Sequence, residues 1–459
     1  MVRLFHVYVP GRTLLLALSD TLLVLLALLF AAFASLGPDV ELDLRYEGGL
    51  WKILAACSVC VVCMYYFDLY DSPVLHRPGE VLTRLIQALG MACLILILLY
   101  YLWPALHLRH DLLLISVLLA GVFLSAWRRL FVWLDRSPRL GHAALLLGDG
   151  PLANSLASEI RGRPELGLRL LGYLEEPGRT TSINGLPRLG PLEKLAEVAR
   201  QRRVSRIIVT MGDRFGRLPV ERLLQLKSHG VLVEDAVDVH EAITGRLPLE
   251  ALELNRLVFS RGFRLSPAMR LYKRAASIVF SLLGLVLALP LMLVIALAVR
   301  LDSRGPVLFR QERVGADGML FTLFKFRSMR ADADPDTPAQ ENDGRCTRVG
   351  RWLRRFRLDE LPQLYNILRG DMYFVGSRPF TPKMEARLAQ EIPFYSLRWS
   401  IRPGATGWAQ IQKGYCATLQ DNREKLGYDL FYIKNLSMGL DFVIVLKTLK
   451  ILFLGRGAR

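Results

Sequence analysis

Four long apolar runs open the chain, over residues 14–36, 50–67, 85–102 and 112–134. Each is close to the roughly 20 residues that an α-helix needs to cross the hydrocarbon of a bilayer. The pattern predicts a four-helix transmembrane block over residues 1–136. Ala32-Phe33-Ala34 could pass for a signal-peptidase site, but the run around it is long and three more follow, so it reads as an anchor. Beyond His142 the pattern changes. HAALLLGDGPLANSLASEI reads as a buried strand, a glycine turn and a helix. LRLLGYLEE, ending at Glu175 and Glu176, and the stretches 206–211 and 230–236 read as further strands. Strands alternating with helices predict an α/β domain of Rossmann-like character over residues 137–262.

A fifth apolar run, 275–299, contains Pro290 and has cations on both flanks: Arg270, Lys273 and Arg274 before it, Arg300, Arg304, Arg310 and Arg313 after it. A crossing helix usually separates its charges, and proline breaks or kinks a helix. The pattern therefore predicts a re-entrant helix over 272–300, broken at Pro290, that enters and leaves one leaflet. The rest of 263–459 reads as an α/β domain. Strands over 307–310 and 320–327 are joined by a turn at 315–318, and alternation puts Lys325 and Arg327 on one face. The polar segment 331–344 reads as a mobile loop. Arg345, Arg348, Arg351, Arg354 and Arg355 then recur at helical spacing with Trp352, Leu353 and Phe356 offset, a pattern suited to anionic headgroups. The final run, 440–454, carries Lys447 and Lys450 and reads as a helix lying on the membrane. The expected fold class is thus membrane α plus α/β.

Composition agrees. Of 459 residues 52% are hydrophobic, too many for an ordinary soluble chain, and the net charge is +17. Asp39, Glu41 and Asp43 follow the first run, whereas Arg128, Arg129, Arg136 and Arg139 follow or end the fourth. The positive-inside rule places the N-terminus and the chain beyond the fourth run in the cytoplasm. Nucleic acid is the competing partner for a basic chain, but no common nucleic-acid module is present. Cys57, Cys60 and Cys63 lie in one apolar run and read as small packing residues, and the six cysteines suggest no disulfide framework. Asp20, in the first run, is expected to reach water or Arg12.

The candidate chemistry centres on Asp359 and Glu360, directly before Leu361 and Pro362. Proline favours the first helical position, so the pair is expected near a helix N-terminus, whose dipole favours ionised acids. Arg351, Arg354, Arg355, Arg357, Arg369 and Arg378 flank it. A carboxylate among guanidinium groups suits a phosphate-handling site; a solvated helix with a capping acid is the bland alternative. GSRPF, 376–380, fixes the backbone beside Arg378 for bidentate phosphate contact. IRPGATGWAQI supplies a glycine-rich turn with Arg402, Thr406 and Gln410, and YDLFYIKN supplies Asp429 and Tyr432. In the middle domain Gly148, Gly150 and Ala153 fit G-x-G-x-x-A, which can place a pyrophosphate at a helix N-terminus. A tight strand-to-helix turn explains the same glycines, so a structural or regulatory role stays open.

RLDELPQLYNILRGDMYFVGSRP resembles the signature of the bacterial sugar transferases, the polyprenyl-phosphate phosphoglycosyl transferases, and the similarity covers roughly 271–454. The domain order is similar to that of the family's long members. The resemblance implies transfer of hexose 1-phosphate from a UDP-hexose, glucose or galactose, to undecaprenyl phosphate, with release of UMP. This would initiate exopolysaccharide or O-antigen synthesis at the bacterial inner membrane, with the catalytic domain facing the cytoplasm. It implies a ping-pong course through a phosphosugar-aspartyl intermediate. Asp359 would be the nucleophile and Glu360 a metal ligand or acid–base partner, with Mg²⁺ at the pair. Arg378 would clamp phosphate, Arg354, Arg357 and Arg402 would add phosphate contacts, Lys325 would hold substrate or a carboxylate, and Asp429 would assist the metal or nucleotide. The lipid bilayer is a partner, and a homodimer through the extra domains is compatible with the arrangement. Two other readings are an NAD-dependent enzyme modifying sugar nucleotides in the middle domain, which lacks a Tyr-x-x-x-Lys pair, and a non-catalytic membrane scaffold for polysaccharide assembly.

Overall fold

The four N-terminal apolar runs form helices Gly11–Leu36 (α1), Gly49–Tyr66 (α2), Pro78–Leu102 (α3) and His110–Asp135 (α4). The computed structural model describes residues 2–4, 7–46, 48–71, 78–135, 142–175, 182–211, 218–252, 257, 259–260, 262–330, 343–414 and 418–454. Buried residues of all four helices make one cluster, and many are small: Ala27 and Ala31, Ala56, Cys57, Cys60 and Cys63, Ala88 and Ala92, and Ala120. Small side chains let helix backbones approach closely where lipid supplies no hydrophobic drive. The outward faces, with Leu18, Phe33, Leu98 and Leu118, stay exposed.

Asp20 differs from expectation. It is fully buried and accepts from Arg128 Nη2 at 2.5 Å, while Arg128 Nη1 donates to Leu69 O at 2.6 Å. A carboxylate inside an apolar bundle requires a facing cation. Arg128 on α4 provides it, in place of the water or Arg12 expected.

The first of two compact units holds these helices and a parallel sheet, essentially residues 8–235; residues 236–459 form most of the second. The sheet strands are His142–Leu147 (β1), Leu168–Glu175 (β2), Arg188–Pro191 (β3), Arg206–Val209 (β4) and Leu232–Asp235 (β5). Their order is β3-β2-β1-β4-β5, the order of the first five strands of a doubly wound dinucleotide-binding sheet. Strand β3, RLGP, has no alternating pattern to betray it and pairs only with β2. Gly148 follows β1 with φ +102°, and a Cβ there would lie 2.8 Å from Met211 Cγ. Gly150 begins helix Pro151–Arg161 (α5) in an ordinary extended conformation. Glu175, at the end of β2, is ion-paired with Arg188 of β3; Glu176 lies outside the described residues.

Helix Ala236–Thr244 (α6) packs with the second unit, ahead of residue 263 where the catalytic domain was expected to begin. Glu241 holds Lys434 at 2.6 Å and Asn435 at 3.0 Å, and Trp408 Nε1 donates to Gly245 O. The fifth apolar run lies within one 36-residue helix, Pro267–Asp302 (α7). Ser266 caps it by accepting from Met269 N. Pro290 lies inside without interrupting the helix, where a break was expected. Proline removes a single donor, and surrounding groups can absorb that loss in a membrane helix.

Strands Leu308–Val314 (β6) and Leu320–Phe326 (β7) form an antiparallel hairpin, and its first strand runs on past Arg310, where it was expected to end, to Val314. Helices Arg348–Arg355 (α8) and Gln363–Arg369 (α9) follow. Strand Tyr373–Val375 (β8) pairs in parallel with Gly404–Thr406 (β9). Helices Pro382–Glu391 (α10), Leu419–Lys434 (α11) and Met438–Leu454 (α12) complete the unit. Leu426, Leu430, Phe431, Leu440 and Ile444 are central to its core. Most of the expected mobile loop, 331–342, lies outside the described residues.

Candidate active site

Thr347 starts α8 by accepting from Gly350 N, and Asp302 Oδ2 accepts from Val349 N. A Cβ at Gly350 would meet Ser328 O at 1.9 Å, so only glycine lets the helix sit against the end of the hairpin. Arg357 then adopts a left-handed conformation, φ +55°. That reversal separates α8 from the 3-10 turn Leu358–Glu360. The acidic pair therefore stands in the turn leading into α9, with Pro362 at the cap rather than the first helical position. Helix α9 has seven residues, so neighbouring side chains rather than a long helix dipole set the electrostatics.

The two acids have different surroundings. Glu360 Oε1 accepts from Arg378 Nη2 at 2.8 Å and from Lys325 Nζ at 3.1 Å. Burial would push its carboxyl up, but the charges of Arg378 and then Lys325 overcome that and hold it well below the usual range. Asp359 is 8% exposed, and among the described residues no hydrogen bond or ion pair reaches its carboxylate. Burial raises its pKa; Lys325, Arg378 and Arg354 oppose the shift, and the negative charge of Glu360 adds to it. Glu360 is thus the fixed anion of the pair and Asp359 the uncommitted one.

Arg378 reaches Glu360 because β8 and β9 lie unusually close. A Cβ at Gly404 would fall 2.0 Å from Gly376 N, and one at Gly407 would fall 2.0 Å from Gly376 O. From behind, Arg398 Nη2 donates to the Arg378 carbonyl at 2.8 Å, and its guanidinium covers the Phe380 ring. Arg398 is itself held by Glu385 at 3.0 Å and Asp429 at 3.2 Å. Asp429 is therefore committed to Arg398 and has no hydrogen bond to the acidic pair. Arg354 Nη1 donates to Cys346 Sγ at 3.0 Å, yet its charge still acts on Asp359. Arg357 acts on Glu360 through its charge. Arg402 lies over the Tyr373 ring, with no hydrogen bond to the pair.

A family model described as bacterial sugar transferase matches residues 268–455, and one described as CoA-binding domain matches 65–215. The UDP-N-acetylgalactosamine-undecaprenyl-phosphate N-acetylgalactosaminephosphotransferase of Aeromonas hydrophila is 42% identical, over 48% of this chain and 52% of its own length. The undecaprenyl-phosphate glucose phosphotransferase of Komagataeibacter xylinus is 36% identical, over 68% and 59%. The UDP-glucose:undecaprenyl-phosphate glucose-1-phosphate transferase of Escherichia coli (strain K12) is 36% identical, over 69% and 68%. This chain belongs to the bacterial sugar transferase family. Its match spans little more than half the length of the first two of these relatives.

Every residue of the acidic-pair cluster lies within the part matched by the sugar transferase model. So do two arginines that the sequence reading passed over. Arg398 has no pattern to mark it. Arg313 counted only as a cation flanking the fifth apolar run. In the hairpin, however, Phe309 pairs with Lys325 and Arg313 with Phe321. Directly paired residues share a face and the period is two, so Arg313 and Lys325 lie on one face. Extending the strand beyond Arg310 would have revealed this.

The site's donors suit Mg²⁺, which takes oxygen ligands, commonly one or two carboxylates together with substrate phosphates. Among the described residues the Asp359 carboxylate has no side-chain partner, and Glu360 commits Oε1 alone to its two cations. No group of three or more His, Cys, Asp or Glu gathers among the described residues, so the ion would need substrate oxygens to complete its shell.

Proposed function

We propose that this chain transfers hexose 1-phosphate from a UDP-hexose to undecaprenyl phosphate, releasing UMP, as the first step of exopolysaccharide or O-antigen assembly. The observation that carries the reading is the Asp359 carboxylate, buried, unbonded and beside a neighbour already neutralised by Lys325 and Arg378. A nucleophile must be ionised and uncommitted, and cations must hold the phosphate it attacks. Asp359 attacks the sugar-proximal phosphorus. A bond forms from its carboxylate oxygen, the phosphoanhydride bond breaks, and UMP departs with the electron pair. An oxygen of undecaprenyl phosphate then attacks the same phosphorus and the carboxylate leaves. Arg378 and Lys325 orient the diphosphate, with Glu360 holding both in place. Arg354 and Arg357 add positive field, and Arg402 contributes at the rim. Mg²⁺ held by Asp359 and Glu360 would supply charge neutralisation for the diphosphate and for the leaving UMP.

The lipid substrate requires the site at the membrane surface, which the α7 contacts support. Near its start, Arg274 donates to Ile367 O and Leu368 O, and Ser277 Oγ accepts from Phe374 N. Near its end, Ile295 and Val299 pack on Phe326 and Leu353, and Arg327 bonds Ser303 O. Between them Leu283, Val286, Leu287 and Leu293 are exposed. A straight helix of 36 residues is about 54 Å long, which would carry its ends to opposite sides of a bilayer with a core of about 30 Å. Two ends tied to one polar unit favour a helix that stays continuous but bends at Pro290, and so enters and leaves one leaflet. The cytoplasmic leaflet of a bacterial inner membrane fits Arg128 and Arg129 at the end of the fourth span.

The test uses full-length protein in undecaprenyl-phosphate vesicles with radiolabelled UDP-hexoses. Wild type should release UMP and pass the label to the lipid, and in vesicles lacking undecaprenyl phosphate it should itself retain the label; Asp359→Asn should do none of these. An Asp359→Asn variant that still released UMP at the wild-type rate would exclude the covalent role.

A further inference from the structure

We propose that Arg313 is a substrate-binding cation of this site, meeting the diphosphate of the sugar nucleotide beside Arg378. The inference rests on the transferase reading above and adds a residue to it. Arg313 lies on the hairpin face that carries Lys325, and Lys325 bonds Glu360. Its Nη1 donates to Pro379 O at 3.1 Å, the carbonyl next after Arg378, and its Nη2 donates to Gln311 Oε1 at 2.5 Å. Nε is buried and has no hydrogen-bond partner. Among the described residues no carboxylate forms an ion pair with this guanidinium.

A mostly buried guanidinium beside other cations is costly unless an anion joins it. Burial, together with the charge of Arg378, pushes its pKa down to about 10, and Glu360 and Glu385 only partly offset this. Glu360 already serves Lys325 and Arg378. Three cations, Arg313, Lys325 and Arg378, therefore face two carboxylates, Glu360 and Asp359, and the excess positive charge suits a ligand carrying two linked phosphates. Arg313 brings charge to that ligand while Nη1 and Nη2 fix it on Pro379 O and Gln311 Oε1.

The experiment titrates UDP into full-length protein in detergent and measures UMP release from UDP-hexose in parallel. Arg313→Gln, which keeps hydrogen-bonding capacity but no charge, should raise both the UDP Kd and the KM for UDP-hexose about tenfold, the size of one charge-assisted hydrogen bond. Arg313→Lys should recover most of that loss, with an unchanged melting temperature. A lysine cannot reproduce the two-armed hold on Pro379 O and Gln311. A Lys variant as weak as the Gln variant would therefore assign Arg313 to supporting the turn and overturn the proposal, as would wild-type UDP affinity in Arg313→Gln. If UDP binds through Arg313 but no UDP-hexose yields UMP, the residue assignment stands and the transferase reading fails. Wild type that binds no UDP overturns both.

Discussion

Asp359 and Glu360 are adjacent in the chain and opposite in circumstance: Glu360 accepts from Arg378 at 2.8 Å and Lys325 at 3.1 Å, while no side chain among the described residues bonds Asp359. A pair of carboxylates whose environments push their pKa values apart divides its labour between a fixed charge and a reactive group.

Removing the charge of Glu360 should disable the site without unfolding it. In Glu360→Gln, Lys325 and Arg378 lose their shared anion and turn towards Asp359, which becomes ion-paired and less nucleophilic. UMP release should fall roughly 10²-fold or more, within the range for loss of a positioned charged group. A melting curve close to wild type, recorded alongside the rate, separates this from misfolding.

The pH dependence follows from the raised pKa of Asp359. Below its folded pKa the group is protonated and cannot attack, so the acidic limb of kcat/KM should lie above the ordinary aspartate value of about 3.9. Glu360 contributes to the rise, so the limb should move to lower pH in the residual activity of Glu360→Gln. The stability contributions have opposite signs. Folding favours protonated Asp359, a contribution complete below about pH 3.9 and lost as pH rises through the folded value. Folding favours ionised Glu360, a contribution present above about pH 4.3 and lost as pH falls. A limb at or below 3.9 in the wild type would remove Asp359 as the titrating group.

Lys273 joins α7 to the core through Asp441 at 2.9 Å and Tyr432 Oη at 2.5 Å, and is 2% exposed. Lys273→Met strands the Asp441 charge and should cost about 3–5 kcal/mol of stability in denaturant unfolding in detergent. The double variant Lys273→Met with Asp441→Leu should recover much of that loss. A double variant as unstable as the single one would mean that packing, not charge, dominates at this joint.

At Gly404 the obstruction is backbone, which cannot swing aside. Gly404→Ala should separate β8 from β9, displace Arg378 and lower both stability and UMP release. Gly414→Ala, whose added methyl meets no atom of the described residues within 4 Å, should match the wild type in both measurements.

Much was legible in the sequence because it depended on local pattern. Apolar runs predicted α1, α2 and α4 within three residues and α3 except for its first turns, which begin at Pro78 before the apolar run, since hydrophobic length decides whether a helix suits a bilayer. Alternation read the hairpin, and short apolar stretches between turns marked four of the five parallel strands. The acidic pair and its cations were visible as a cluster because they are close in the chain. Strand β3 escaped because its pairing comes wholly from β2, and the partner of Asp20 escaped because it lies on another helix.

The tertiary structure decided which charge meets which. Composition and spacing established a membrane-embedded chain with carboxylates among arginines, but Coulomb energy depends on distance through space, not along the chain. Only the folded chain sends Arg378 and Lys325 to Glu360, leaves Asp359 unpaired, and gives Asp429 to Arg398. Those pairings set the two carboxylates apart, and no one-dimensional pattern contains them.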